Sequence, residues 1–151
     1  MYNSSELKFV NDKIENFLKL SGLTLYDNRY IRRANSSLAM SEIDYVFHAN
    51  GINVCISNKF ACLPLFVDIV KFVDNLDAIQ QVTGVTTRGI LLLKTEIPGS
   101  SRGYIEASKK DIQIIVSHDK ATLIDGFYKC LYLSNIYMRD NVGDIIMLNQ
   151  V

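Results

Sequence analysis

The chain has 151 residues, of which 48% are apolar and 21% are charged, and its formal net charge is zero. This composition is typical of a globular protein with a substantial core, and it excludes a wholly disordered chain. Zero net charge also excludes an overall basic field, so any contact with DNA or RNA has to come from a local patch. The length predicts a single domain over residues 1–151.

The sequence shows no features of secretion or membrane insertion. It contains no run of apolar residues long enough to span a bilayer and no charged-then-apolar N-terminal signal. Its three cysteines, Cys55, Cys62 and Cys130, are odd in number and lack the spacing of metal ligands. We therefore expect reduced thiols in a cytoplasmic protein without membrane contact.

Apolar periodicity and turn residues predict an alternation of helices and strands. Asn50 and Gly51 form a strong hairpin signal between two strands, and Gly22 and Gly84 follow the helices that they end. The elements predicted for the first half are a helix at 5–21, a strand at 23–32, a loop at 34–37, strands at 43–48 and 52–59, and a helix at 64–83.

The second half continues this alternation. Its predicted elements are a buried strand at 89–93, a short helix at 102–109, a buried strand at 112–116, a helix at 120–137 and an edge strand at 143–148. The fold class predicted from this order is α/β (α+β), with a mixed central sheet flanked by helices.

The hairpin carries the most informative polar residues. Asp44 lies near the start of its first strand and Lys59 at the end of its second. An acidic residue and a lysine one hairpin apart are the layout of a metal-dependent nuclease centre, in which carboxylates hold Mg²⁺ and lysine steadies the attacking water or the phosphate. A simple cross-strand ion pair is the alternative interpretation.

The ordered set of motifs resembles the restriction-endonuclease-like fold, and most closely the Mrr-type restriction endonucleases and the archaeal Holliday-junction resolvases. The resemblance covers residues from about 7 to 133. The motifs that carry it are, in order, a helix, Gly22, a strand, Arg32-Arg33, Ser36-Ser37, Ile43-Asp44, the hairpin, Lys59, a long helix, the run from Arg88 to Leu93, Ala107, Ile115 and the segment from Leu123 to Gly126.

The resemblance implies a metal-binding aspartate at Asp44 and a catalytic lysine at Lys59. The family's second acidic position falls on Ser57, and its first-helix glutamate falls on or near Asn11. Both residues are neutral and bind Mg²⁺ more weakly than a carboxylate does. The resemblance thus predicts a nuclease frame with part of its metal site replaced, and a metal-dependent endonuclease only if other carboxylates compensate.

Compensating carboxylates are available near these positions. Glu42 lies two residues before Asp44, so both side chains point to the same face of a strand. Glu42 and Asp44 are candidates for catalysis and for binding Mg²⁺, and the first helix offers Asp12 or Glu15 as a further ligand. Alternatively, Glu42, Asp12 and Glu15 are ordinary solvated charges.

The segment that precedes the hairpin contains four candidates for contact with nucleic acid, and DNA is favoured over RNA. In the families that the chain resembles, residues at the place of Arg32 and Arg33 contact the nucleic-acid backbone. Ser36 and Ser37 follow in a loop. Arginine forks suit phosphate oxygens, and hydroxyls add positioning contacts. A surface arginine pair without a role is the alternative.

Three functions therefore remain open. The first is a divergent nuclease that acts on DNA. The second is a nuclease-fold protein that has lost catalysis but binds nucleic acid in a restriction, recombination or mobile-element context. The third is a protein-interaction module such as an inhibitor, immunity-type partner or regulatory subunit.

Tyr128, Tyr132 and Tyr137 follow helical spacing and indicate a core edge or the face of a homodimer.

Overall fold

The computed structural model describes residues 4–21, 23, 43–61, 65–96 and 112–133. The helices within these ranges are α1 (Ser4–Ser21), α2 (Phe66–Thr83) and α3 (Lys120–Leu133). The strands are β1 (Tyr45–Ala49), β2 (Ile52–Lys59), β3 (Thr87–Leu93) and β4 (Ile112–Val116).

The four described strands form one mixed sheet in the order β1-β2-β3-β4. β1 and β2 are antiparallel, and they are joined by a two-residue turn in which Asn50 and Gly51 have φ of 53° and 79°. Positive φ at both positions is the geometry that Asn-Gly hairpins favour. β2 pairs with β3, and β3 with β4, in parallel. The parallel strands therefore end together at Lys59, Leu93 and Val116, which we call the carboxyl end of the sheet.

Both faces of the sheet are covered by helices. Even-numbered residues of β2, such as Val54 and Ile56, pack with α1 and α3, whereas Cys55 packs with α2. Because both faces are buried, six consecutive residues of β2 are buried. On one face of the sheet, the buried helix residues are Val10, Ile14, Phe17 and Leu18 of α1 and Leu123, Ile124, Phe127, Tyr128 and Leu131 of α3. On the other face they are Ile69, Phe72, Leu76 and Ile79 of α2.

Gly89 allows α2 to approach β3 closely. A Cβ atom at this position would lie 2.8 Å from Cε2 of Phe72 and 3.0 Å from Cδ1 of Leu76. Such distances are well inside van der Waals contact, so a larger residue would displace the helix. The close packing fixes α2 against the face to which Cys55 and Ser57 of β2 belong.

The predicted fold class is confirmed at the level of a mixed sheet with helices on both faces. The elements predicted at 23–32, 102–109 and 143–148 fall outside the described residues, apart from Leu23. Tyr128 lies in the core against Phe17 and Phe127, Tyr132 is 46% exposed, and Tyr137 is outside the described ranges. Within the described part of the chain, no helix combines the length and apolar character required to cross a bilayer.

Candidate functional site

Asp44 lies just before β1 and is fixed against the end of β2. Its backbone N–H donates to the carbonyl oxygen of Ile56 at 2.9 Å, and its Oδ2 accepts the backbone N–H of Asn58 at 2.7 Å. The regular ladder ends at the pair of Tyr45 and Ile56, so the Asp44 carboxylate takes the place of a backbone acceptor. A hydrogen bond to an ionised acceptor is among the stronger ones in proteins. This contact explains why β1 begins at Tyr45, two residues later than the sequence predicted.

Lys59 is the last residue of β2 and lies opposite Leu93 of β3. Because Asp44 contacts the backbone of Asn58, its carboxylate lies beside the residue that precedes Lys59 in the chain. The hairpin therefore brings Asp44 and Lys59 to the same end of the sheet. Asp44 is exposed and Lys59 is partly buried, so this end of the sheet is accessible from solvent.

Asn58 connects this end of the sheet to helix α1. Its Nδ2 donates to the carbonyl oxygen of Leu7 at 3.3 Å and to Oδ1 of Asn11 at 3.0 Å. Its Oδ1 accepts the backbone N–H of Phe60 at 3.1 Å. With only 4% of its surface exposed, Asn58 uses both amide groups and its backbone N–H in bonds to the protein. It therefore holds α1, the start of β1 and the end of β2 together.

The acidic candidates on α1 have separate environments. Asp12 is exposed and pairs with Lys8 one turn earlier, with Nζ and Oδ2 2.8 Å apart. Glu15 accepts a hydrogen bond from the Tyr45 hydroxyl at 2.8 Å. Asn11, rather than its neighbour Asp12, is the residue that faces Asn58. The helix thus presents a neutral amide to the position where the resemblance implies a carboxylate.

Ser57 faces the opposite side of the sheet from Asn58. It is 1% exposed, and alternation along β2 places it on the face that packs against α2, together with Cys55. Its Oγ is buried and has no hydrogen-bond partner among the described residues. Burial raises the pKa of the neighbouring Cys55 thiol, as expected for the apolar surroundings that both residues share.

An ion pair that the sequence did not indicate lies at the same end of the sheet. Nζ of Lys94, the residue after β3, is 3.0 and 2.9 Å from the two carboxylate oxygens of Glu6 in the first turn of α1. The same Nζ lies 5.5 Å from the centre of the Phe60 ring. Glu6 and Lys94 are 88 positions apart, so no local sequence signal relates them.

Several of the predicted site residues lie outside the part of the chain that the structure describes. Glu42, Arg32, Arg33, Ser36 and Ser37 lie outside the described residues, so their assignment to catalysis, metal binding and nucleic-acid contact remains a prediction. Among the described residues, no group of three or more His, Cys, Asp or Glu side chains converges as a metal site would require. Binding of Mg²⁺ by Asp44, Glu42 and Asp12 also remains a prediction.

A second polar network lies at the other end of β2. Asn53 is fully buried, and its Nδ2 donates to Oγ1 of Thr83 at 2.9 Å and to Oγ1 of Thr87 at 3.4 Å. Its Oδ1 is 3.2 Å from Nδ1 of His48 on β1. The Thr87 backbone N–H donates to Oε1 of Gln80 at 3.1 Å. This network joins the end of α2 to the beginnings of β2 and β3, which we call the amino end of the sheet.

Comparison of the chain with protein-family models, with curated proteins and with solved structures finds no match. The resemblance to the Mrr-type endonucleases and junction resolvases therefore remains a prediction from the sequence.

Proposed function

We propose that the protein binds DNA at the carboxyl end of its sheet, on a nuclease-type frame whose catalysis is weak or lost. The observation that carries the proposal is the Asp44 carboxylate, held by the Asn58 backbone beside Lys59, with α1 joined to the same point through Asn11. An acidic residue, a lysine and the first helix thus lie at the same end of the sheet, which supports the proposal.

The chemistry of the neutral residues favours binding over cleavage. Mg²⁺ requires hard oxygen ligands in near-octahedral geometry, and carboxylates supply them best. At the two positions where the resemblance implies acids, Asn11 already accepts a hydrogen bond from Asn58, and Ser57 is buried on the face that packs against α2. Neither is available as a strong ligand beside Asp44.

The expected partner is the phosphate backbone. Because the formal net charge is zero, attraction has to come from local cations such as Lys59, supplemented by the predicted contacts of Arg32 and Arg33. Contacts of this kind position a nucleic acid without reading its bases. We therefore expect little sequence preference and a steep fall in affinity as salt rises.

Binding is tested by fluorescence anisotropy with labelled duplex, single-stranded and branched DNA, and with duplex RNA, between about 50 and 200 mM salt. The double variant Arg32→Ala/Arg33→Ala and the single variant Lys59→Ala should weaken binding to unrelated sequences by similar factors and flatten the salt dependence. Arg88→Ala is the matched control, since exposed Arg88 lies near the amino end of β3. A wild-type protein that binds none of these probes at low salt would refute the proposal.

Cleavage is tested with plasmid and branched DNA in the presence of Mg²⁺ or Mn²⁺, while calorimetry measures binding of the same ions. We expect weak metal binding and slow or no cleavage. Rapid metal-dependent cleavage that Lys59→Ala abolishes would show that catalysis is intact and that other carboxylates complete the site.

One observation favours the interaction-module alternative. Leu65, Val67 and Val70 at the start of α2 are 50%, 46% and 37% exposed. Neighbouring exposed apolar side chains are characteristic of protein-binding surfaces. Light scattering of the wild type and of Val67→Ser/Val70→Ser tests self-association through this surface, and a dimer that only the wild type forms would support the alternative.

A further inference from the structure

Lys94 is held in a defined position at the carboxyl end of the sheet. Both carboxylate oxygens of Glu6 lie within 3.0 Å of its Nζ. Its ammonium also lies over the Phe60 ring, 5.5 Å from the ring centre. An ammonium over an aromatic face is electrostatically favourable, and the stem of a lysine packs readily on apolar surface. The ring therefore helps to hold Lys94 in place whether or not Glu6 is bound to it.

Lys94 and Lys59 lie at the ends of adjacent strands. Lys59 is paired in parallel register with Leu93, and Lys94 follows Leu93 directly. Neighbouring strands are about 4.8 Å apart, so the two lysines leave the backbone close together at the carboxyl end. Lys94 turns to the α1 face, where it meets Glu6 and Phe60, whereas alternation along β2 places Lys59 on the α2 face. The two lysines therefore suit contact with different phosphates of one DNA strand.

We propose that Lys94 is a second phosphate-contacting residue of this site and that Glu6 is its internal competitor. The inference rests on the proposed function. A DNA phosphate that binds Lys94 replaces the Glu6 carboxylate, since both are anions that accept hydrogen bonds from the same ammonium. Glu6 thereby lowers the affinity for DNA, and it keeps Lys94 paired when no DNA is bound.

The exposure of the pair makes this exchange feasible. The Lys94 side chain is 36% exposed and that of Glu6 is 20% exposed. A partly exposed pair gains only modest attraction, because water screens it. Replacing one anion by another leaves the lysine paired throughout, and the displaced Glu6 carboxylate, which is partly exposed, turns to water at a cost that lowers the affinity for DNA.

The test compares four proteins in the anisotropy assay: the wild type, Glu6→Gln, Lys94→Met and the control Asp74→Asn. Glutamine keeps the shape of Glu6 without its charge, and methionine keeps an apolar stem over Phe60. Asp74→Asn removes an exposed carboxylate from α2, which packs on the other face of the sheet from α1. Circular dichroism melting first establishes that each variant folds.

We expect Glu6→Gln to bind DNA more tightly and to depend more steeply on salt. One additional phosphate contact changes the slope of log affinity against log salt by about 0.9, which corresponds to about a three-fold larger loss of affinity between about 50 and 200 mM salt. Lys94→Met should bind more weakly than the wild type and have a flatter slope. Asp74→Asn should lie close to the wild type in slope.

Two negative outcomes are distinguishable. If neither the wild type nor Glu6→Gln binds any DNA probe at low salt, the proposed function fails. If the wild type binds, but folded Glu6→Gln and Lys94→Met have the affinity and slope of Asp74→Asn, the site binds DNA without Lys94 and the inference is overturned. Weaker binding by Glu6→Gln would likewise overturn it.

Discussion

The two ends of strand β2 carry buried asparagines with different roles. At the amino end, Asn53 bonds to Thr83 and Thr87, and each threonine hydroxyl has a further backbone partner. At the carboxyl end, Asn58 bonds to α1 through Leu7 and Asn11, which are 51 and 47 positions away. Asn53 faces α2 and Asn58 faces α1, so the two anchor different helices to opposite faces of the sheet.

Charge separates the two networks further. The amino-end contacts of Asn53 involve neutral hydroxyl groups and the ring of exposed His48. The carboxyl end adds the Asp44 carboxylate, Lys59 and the pair of Glu6 with Lys94. Neutral groups that satisfy one another are sufficient for stability, whereas charged groups near solvent are able to exchange partners. Both networks stabilise the fold, and among the described residues only the carboxyl end, where the proposed binding site lies, adds charged side chains to its network.

The largest expected loss of stability follows from replacing Asn58, and it should exceed the loss from replacing Asn53. Asn58→Ala leaves the Phe60 N–H, the Leu7 carbonyl and the Asn11 amide oxygen without this partner. Unsatisfied buried groups are costly, so we expect a loss of about 2–4 kcal/mol in the free energy of unfolding. Urea denaturation at neutral pH measures it.

Asn53→Ala is the matched control for that measurement. Thr83 still donates to the Ile79 carbonyl and Thr87 to the Val85 carbonyl, so fewer groups lose their last partner. We expect a smaller loss of about 1–2 kcal/mol. Equal losses for the two variants, or a larger one for Asn53→Ala, would contradict the distinction between the networks.

The sequence predicted the elements of this fold better than its site. The Asn50-Gly51 turn, the β4 range and the start of α3 coincide with the predicted ones, because apolar periodicity and turn residues act locally. Asn58 was not singled out, since a neutral amide within an apolar strand gives no signal of its own. Its partners on α1 become neighbours only when the helix packs on the sheet.

The same limit explains the acidic candidates on α1. The resemblance implies Asn11 or its neighbour Asp12 as the residue near the site, and a shift of one position along a helix changes whether a side chain faces the sheet or solvent. The structure turns Asn11 to Asn58 and leaves Asp12 with Lys8. The Glu6–Lys94 pair joins segments 88 positions apart, a separation at which no residue pattern in one sequence is informative.

An intermediate loss of stability is expected from changing Tyr45, which joins α1 and β1. Burial is the main cause of the raised pKa of the Tyr45 phenol, and its hydrogen bond to Glu15 is the next largest. An unfolded tyrosine ionises near pH 10, so stability is fully present below that pH and falls as pH rises above it, since the unfolded chain loses the proton first. Tyr45→Phe should be less stable at neutral pH by about 0.5–1 kcal/mol, the value of one hydrogen bond, and should lose stability less steeply above pH 10.

Urea denaturation of Tyr45→Phe and the wild type at neutral pH and at several pH values above about 9 measures both effects. Burial also raises the pKa of Cys55 and Tyr128, so part of the alkaline loss should persist in the variant. Glu15→Gln is the control that keeps an acceptor for Tyr45 without the charge. Parallel pH profiles for the wild type and Tyr45→Phe would show that Tyr45 does not contribute to the alkaline loss.

The smallest expected change in stability is that of Ser57→Ala. Ser57 precedes Asn58 and lies on the other face of the strand. Ser57→Ala removes a buried hydroxyl that has no hydrogen-bond partner within the described ranges, so the free energy of unfolding should rise by less than about 1 kcal/mol. Ser57→Glu should instead be strongly destabilising, because it places a carboxylate among apolar side chains. The nuclease interpretation makes the opposite demand, since an acid at this position would complete a metal site. If Ser57→Glu folds and binds Mg²⁺ more tightly than the wild type in calorimetry, residue 57 turns toward Asp44 and the assignment of this face to the core is wrong.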